Sequence, residues 1–148
     1  MIEKLERIEV IGMYLRKRIP YKDDSYLISL TMDNFKVKST VVQNILKKSH
    51  EVLVICNNDD EVIGYLCYKF IVKDVIFINY VVLNRSYQGQ GVGGSFLPTV
   101  ISYARKKGIK GATGFVNNNN SEAYHIFKHW GFRPLVNLAG GTLIGIII

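Results

Sequence analysis

The segment Ser86–Gly94, with the sequence SYQGQGVGG, decides how this chain is interpreted. It holds four of the chain's 13 glycines within six positions. An apolar, β-branched run precedes it and a run with helical apolar spacing follows it, so the segment connects a strand to a helix. The free N–H groups and the dipole at such a helix N-terminus favour an anion, and a pyrophosphate fits best. The segment therefore predicts a phosphate-binding loop.

Two common phosphate-binding patterns fit this segment incompletely. Gly89-x-Gly91-x-x-Gly94 matches the dinucleotide-binding pattern, but that fold needs an acid about 20 residues further on. No Asp or Glu lies between residues 75 and 121. The loop of nucleoside triphosphatases needs Lys after its last glycine, where this chain has Ser95. A turn without a ligand needs fewer glycines, so anion binding remains the better interpretation.

Periodicity along the rest of the chain predicts one mixed α/β (α+β) domain that spans residues 1–148 around one sheet. Asp23 is expected to cap the first helix, and Pro98 is expected in the first turn of a later one. The predicted elements are an extended segment over 5–15, helices from Asp23 and from Ser39, strands Val52–Cys56, Val62–Phe70 and Val75–Leu83, helix Gly93–Lys107, a strand over 111–116, helix Ser121–Trp130, and closing strands over 132–138 and 142–148.

Charge and composition narrow the class of partner. The formal net charge is +7, and residues 75–148 carry seven Lys or Arg but a single acid. This excess favours a phosphate-bearing partner, whereas nucleic acid is not expected because exposed aromatic residues do not interleave with the bases. No apolar run reaches the ~18 residues of a membrane span, and no secretion signal is evident, so a cytoplasmic location is expected. Cys56 and Cys67 lack metal-ligand spacing and are expected to be reduced core thiols, with no metal site.

Two motifs carry a resemblance to a known family. Gln88-x-x-Gly91-x-Gly93 resembles the coenzyme A signature, Arg/Gln-x-x-Gly-x-Gly/Ala, of the GNAT superfamily of acyl-CoA-dependent N-acyltransferases. NSEAYHIFKHWGF, residues 120–132, resembles that family's later helix motif, Asn-x-x-Ala-x-x-x-Tyr-x-x-x-Gly-Phe. The resemblance implies a GNAT-type fold. Its single, mixed, mostly antiparallel central sheet has helices on both faces and a cleft where the family's fourth and fifth strands splay apart.

The resemblance also implies a binding site for acetyl-CoA as acyl donor. One group of residues would line the pantetheine arm, with the backbone N–H of Leu83 as oxyanion donor: Val81, Val82 and Leu83. A second group would bind the pyrophosphate: Gln88, Gly89, Gln90, Gly91, Val92, Gly93 and Gly94. Asn120 would hydrogen-bond the pantetheine arm or cap the last helix, and Phe127 would lie beside the coenzyme on that helix.

The implied reaction is direct attack of a primary amine on the thioester, but the chain departs from the family pattern at two positions. Phe127 stands where the family has a proton-donating tyrosine, and Asn79 stands where many members have a base glutamate. Tyr124 is the first candidate for a substitute acid, with Tyr80 and His125 as others. A non-catalytic acyl-CoA-binding or sensing domain is the alternative. The acceptor's identity is left open, as is a homodimer formed through the apolar C-terminal strand.

Overall fold

The computed structural model describes residues 8–10 and 12–148. The helices are α1 (Pro20–Asn34), α2 (Ser39–Lys48), α3 (Val92–Lys106) and α4 (Ser121–His129), with one 3₁₀ turn at Arg85–Tyr87. The strands are β1 (Ile8–Val10), β2 (Met13–Lys17), β3 (Glu51–Cys56), β4 (Val62–Val72), β5 (Val75–Leu83), β6 (Gly111–Asn117), β7 (Arg133–Leu138) and β8 (Gly141–Ile147).

The strands form one sheet in the order β1-β2-β3-β4-β5-β6-β8-β7. β1–β2, β2–β3, β3–β4, β6–β8 and β7–β8 pair antiparallel, whereas β5 and β6 pair parallel. The parallel register ends at Ile78 opposite Gly114, although β5 continues to Leu83 and β6 to Asn117. β5 and β6 correspond to the family's fourth and fifth strands because β1 adds one strand at the start. The predicted fold class, with its splayed strand pair, is confirmed.

The described residues group into two compact units. The first contains the described residues up to Tyr68 together with Tyr80–Gln90. Its core joins α1 and α2 to β3, β4 and β5 through apolar side chains that include Leu27, Leu46 and Val54. The second unit contains Lys69–Asn79 and Gly91–Ile148. Its buried side chains include Phe96, Ala112, Trp130, Phe132 and Ile144.

The N-terminal part differs from the sequence expectation in two ways. Instead of one extended segment there are two strands joined by a turn at Gly12, whose φ of +77° favours glycine. The part of that expectation before residue 8 lies outside the described residues. Helix α1 begins at Pro20, and Asp23 is its fourth residue, so the expectation that Asp23 is the N-cap residue was wrong. Proline at the first helical position starts the helix earlier because its fixed φ suits that place.

Asp23 is instead half of a buried ion pair. Its carboxylate accepts hydrogen bonds from Arg16 at 2.7 and 3.0 Å and from the N–H of Ile19 at 2.7 Å. Both side chains of the pair are almost fully buried. Burial alone would raise the pKa of Asp23, but the hydrogen bonds from Arg16 and Ile19 outweigh it, and the pKa is lowered. The pair ties β2 to the start of α1.

Two further expectations concern α3 and the cysteines. Pro98 is the seventh residue of α3, in its second turn rather than its first as expected. Proline there removes one N–H from the helical hydrogen-bond ladder. Cys56 and Cys67 are free and buried, as expected.

Candidate functional site

The second half of β5 supplies the residues expected to line a pantetheine arm. Val81 and Leu83 are half-buried, whereas Val82 packs in the core of the first unit and is 2% exposed. Alternation along a strand places neighbouring side chains on opposite faces, so Val82 can contribute only its backbone to a ligand site. Gly64 of β4 makes this packing possible, because a Cβ there would lie 2.5 Å from the carbonyl oxygen of Val82.

The exit from β5 is held by side-chain hydrogen bonds. Asn84 caps the 3₁₀ turn by accepting from the N–H of Ser86 at 3.0 Å. The side-chain amide of Gln88 donates to the carbonyl of Leu83 at 2.8 Å and to Oδ1 of Asn34 at 2.9 Å. Asn34 was not predicted as a site residue, and no local pattern could have found it because 54 positions separate it from Gln88.

The glycine segment has the backbone that its composition predicts. Gly89 and Gly91 have φ of +73° and +75°, which side chains rarely adopt. A Cβ at Gly89, Gly91 or Gly94 would meet no described protein atom within 4 Å. Gly94 lies in a helix, where glycine is less stable than alanine. Neither backbone strain nor protein packing therefore explains the glycine at position 94.

The N-terminus of α3 is open to an anion. Its N-cap residue is Gly91, none of the described side chains caps it, and its first turn contains no acid. The first helical bond runs from the N–H of Ser95 to the carbonyl of Gly91 at 3.0 Å. The N–H groups of Val92, Gly93 and Gly94 thus precede any intrahelical acceptor. With the helix dipole they form a site suited to phosphate.

Helix α4 carries the second motif. Asn120 is its N-cap, and its Oδ1 accepts from the N–H of Ala123 at 3.2 Å. Tyr124 is half-buried and follows Asn120 by one helical turn, so the two share a face of the helix. Phe127 packs edge-on against Trp130 and Phe132, with ring centroids 5.9 and 5.2 Å away. The capping role expected of Asn120 is confirmed.

Two half-buried residues of β5 bear on proton transfer. Asn79 stands where the resemblance predicts the family's base, and an amide does not take up a proton at neutral pH. Tyr80 packs against Phe35 and Tyr65, with ring centroids 5.6 and 6.5 Å away. Burial, together with the nearby Cys67, raises the pKa of Tyr80.

Among residues 8–10 and 12–148, no group of His, Cys, Asp and Glu side chains could hold a metal ion. None of the helices in these ranges is long and apolar enough to cross a bilayer.

Comparisons with known proteins place these features in context. The model of the acetyltransferase (GNAT) family matches residues 18–132. No curated protein sequence matches the chain. Among solved structures, the chain is similar to Ard1 from Thermoplasma volcanium, with a TM-score of 0.81 at 16% identity, over 93% of this chain and 98% of that one.

Two other solved structures are similar over almost their whole length. The PaiA N-acetyltransferase from Thermoplasma acidophilum, in complex with coenzyme A, has a TM-score of 0.74 at 16% identity, over 92% of this chain and 99% of that one. The ribosomal-protein-S18-alanine N-acetyltransferase from Escherichia coli has a TM-score of 0.75 at 14% identity, over 92% and 94%. At these identities the likeness establishes the fold alone.

Proposed function

This chain belongs to the acetyltransferase (GNAT) family, and from that premise we propose that it transfers an acetyl group from acetyl-CoA to a primary amine. Two relatives of the same fold point in this direction: one holds coenzyme A, and the other is an alanine N-acetyltransferase. The acceptor of this chain is an amine of a small molecule, peptide or protein. No metal takes part in the proposed reaction.

The observation that carries the proposal is the uncapped, glycine-lined start of α3. The N–H groups of Val92, Gly93 and Gly94 are available to a pyrophosphate, and the glycines leave space for it. The segment follows directly from β5, whose half-buried Val81 and Leu83 would contact the pantetheine arm. Asn120 would donate its side-chain N–H to the same arm while its oxygen caps α4.

The chemistry requires few groups beyond good positioning. The amine nitrogen attacks the carbonyl carbon, the C–N bond forms, and the C–S bond breaks to release the coenzyme thiolate. The backbone N–H of Leu83 would stabilise the negative charge on the carbonyl oxygen. The nitrogen loses a proton to water, and the thiolate gains one. Since thiolates are good leaving groups at neutral pH, positioning and the oxyanion donor account for most of the acceleration.

The proton for the thiolate would come from Tyr124. Phe127 occupies the family's tyrosine position but has no hydroxyl, and its ring is engaged with Trp130 and Phe132. Tyr124 lies one turn beyond Asn120, on the same face of α4. If Asn120 contacts the pantetheine arm, the hydroxyl of Tyr124 lies further along the same side of the helix.

A second candidate function is acyl-CoA binding without transfer. The presence of Asn79 and Phe127 at the family's base and acid positions favours it, because neither side chain can exchange a proton at neutral pH. In this case the loop would bind the coenzyme with normal affinity and no amine would be acetylated.

One experiment separates the two functions. Purified protein is incubated with acetyl-CoA and a panel of small amines, amino acids, polyamines and peptides, and free thiol and product mass are recorded. We expect thiol release that depends on one class of amine. Tight binding of acetyl-CoA with no turnover on any amine would support the binding-only function, whereas failure to bind coenzyme A would overturn both.

A further inference from the structure

The last turn of α1 is bonded to the segment that leads into the glycines. Three side chains from residues 84–88 reach this helix within the first unit. The Asn84 amide donates to the Tyr26 hydroxyl at 3.0 Å, and Arg85 donates to the carbonyl of Asp33 at 2.6 Å. Gln88 donates to Asn34 at 2.9 Å, immediately before Gly89.

The Gln88 side chain is fully committed as a donor. Its amide nitrogen has two hydrogens, one bonded to the carbonyl of Leu83 and one to Oδ1 of Asn34. The first bond joins the two ends of the segment from Leu83 to Gln88, and the second joins this segment to α1. Gln88 is thus oriented by two acceptors, and it lies next to Gly89, which has a positive φ.

Asn34 is oriented in turn by its own helix. Its side-chain nitrogen donates to the carbonyl of Leu30, one turn earlier in α1, at 2.9 Å. That bond leaves Oδ1 as the atom that faces the Gln88 amide. Asn34 itself is the last residue of α1, and it lies outside both motifs of the family pattern.

We propose that Asn34 is a positioning residue for the coenzyme. Acting through Gln88, it holds the exit of β5 and the first glycine in the geometry that binds the pyrophosphate. This inference rests on the proposed function, since it concerns affinity for the same coenzyme. It assigns to α1 a part in binding the coenzyme, beyond the glycine segment and α3.

The test compares coenzyme A binding, measured calorimetrically, in the wild type, Asn34→Ala, Gln88→Ala and the double variant. We expect Asn34→Ala to raise the Kd about threefold to tenfold, the range for one hydrogen bond. The double variant should bind no more weakly than Gln88→Ala, because both changes break one chain of contacts. In turnover assays the KM for acetyl-CoA should rise by the same factor, with kcat unchanged.

Tyr26→Phe is the matched control. It removes a hydrogen bond of similar length between the same segment and the same helix, but at Asn84 rather than beside the glycines. We expect its Kd for coenzyme A to equal that of the wild type. The pair Asn34→Asp with Gln88→Arg should restore binding to within about threefold, because a guanidinium can donate to both the carboxylate and the Leu83 carbonyl.

The outcomes separate this inference from the function on which it rests. If the wild type binds coenzyme A and Asn34→Ala binds it equally well, the inference fails and the proposed function stands. Equal weakening by Tyr26→Phe would show general anchoring and would also overturn it. A wild type that does not bind coenzyme A would overturn both.

Discussion

At the residue scale, the glycines of the loop divide into two kinds. Gly89 and Gly91 are required by a backbone with positive φ, whereas Gly94 has helical backbone and open space around it. The backbone conformation explains the first kind, whereas no described protein atom requires glycine at Gly94. Because Gly91 belongs both to the first kind and to the proposed site, a test of its role has to distinguish backbone strain from loss of binding.

Comparing Gly91→Ala with Gly108→Ala distinguishes backbone strain from loss of coenzyme binding. Both glycines have nearly the same φ, +75° and +77°, and a Cβ at either meets no described atom. We expect each change to destabilise the fold by about 1–2 kcal/mol, the cost of left-handed backbone. Only Gly91→Ala should also weaken coenzyme A binding, measured by calorimetry. If the two variants bind coenzyme A with equal affinity, Gly91 does not belong to the coenzyme-binding site.

Tyr124→Phe tests the proton donor. We expect kcat to fall about tenfold, less than the ~100-fold or more typical of general acid catalysis, because a thiolate leaves readily. The thermal midpoint should change little. Tyr80→Phe is the comparison, since Tyr80 is also half-buried and its ring contacts with Phe35 and Tyr65 do not involve the hydroxyl. If kcat falls in Tyr80→Phe but not in Tyr124→Phe, the proton donor is Tyr80 of β5 and not Tyr124.

At the scale of elements, the contact between β2 and α1 depends on one buried ion pair. Arg16 and Asp23 are 5% and 2% exposed, so neither charge has water as an alternative partner. The neighbouring pair, Arg18 and Asp24, is 17% and 32% exposed. Arg18 directly follows β2 and Asp24 lies in α1, so the two pairs are neighbours at different depths, which makes them a natural comparison.

Asp23→Asn should destabilise the protein by about 3–5 kcal/mol at pH 7, because it leaves the Arg16 charge buried without a counter-ion. Asp24→Asn should cost no more than about 1 kcal/mol. The measurement is urea unfolding of both variants and the wild type at several pH values. If Asp23→Asn and Asp24→Asn lower the free energy of unfolding by similar amounts, burial does not decide how much each ion pair contributes.

The pH dependence of that cost has a definite sign. The pKa of Asp23 is lowered in the folded protein, so its contribution is complete above the ordinary carboxyl pKa of about 3.9. It is lost as the pH falls through the lowered folded pKa. The difference in unfolding free energy between the wild type and Asp23→Asn should therefore shrink below about pH 4.

At the scale of the whole molecule, charge is distributed unevenly along the chain. The net charge is +7, and nearly all of it comes from residues 75–148. The coenzyme is a polyanion because of its phosphates, so the protein's field should draw it in. That effect is long-ranged and is screened by salt, whereas contacts at the loop are not screened to the same degree.

The association rate of acetyl-CoA should therefore fall about tenfold between low salt and 0.5 M NaCl, as measured by stopped-flow. The acetyl thioester of N-acetylcysteamine, which has the reactive group but no phosphates, is the control. Its kcat/KM should change little over the same range. If salt lowers the rates of both acetyl donors equally, it acts on the protein itself and not on electrostatic attraction of the phosphates.

Much of the fold was predictable because its signals are local. The alternation over β3 to β5, the helical spacing of α2 and α4, and the two family motifs each lie within a few residues. The boundary of α1 was missed because Asp23, a good capping residue, pairs instead with Arg16 in the core. Pro98 was placed too early in α3: it is the sixth residue even from the predicted start at Gly93, and the seventh from the observed start at Val92.

By itself, the sequence determined the family and the glycine segment, and it predicted Phe127 and Asn79 at the family's acid and base positions, since these depend on residue types at short, fixed spacings. Only the tertiary structure decided that Val82 faces the core, that Phe127 belongs to an aromatic cluster, and that Asn34 meets Gln88. These facts depend on which distant segments pack together. Such packing is set by burial and hydrogen bonding across the whole fold, and a local pattern does not record it.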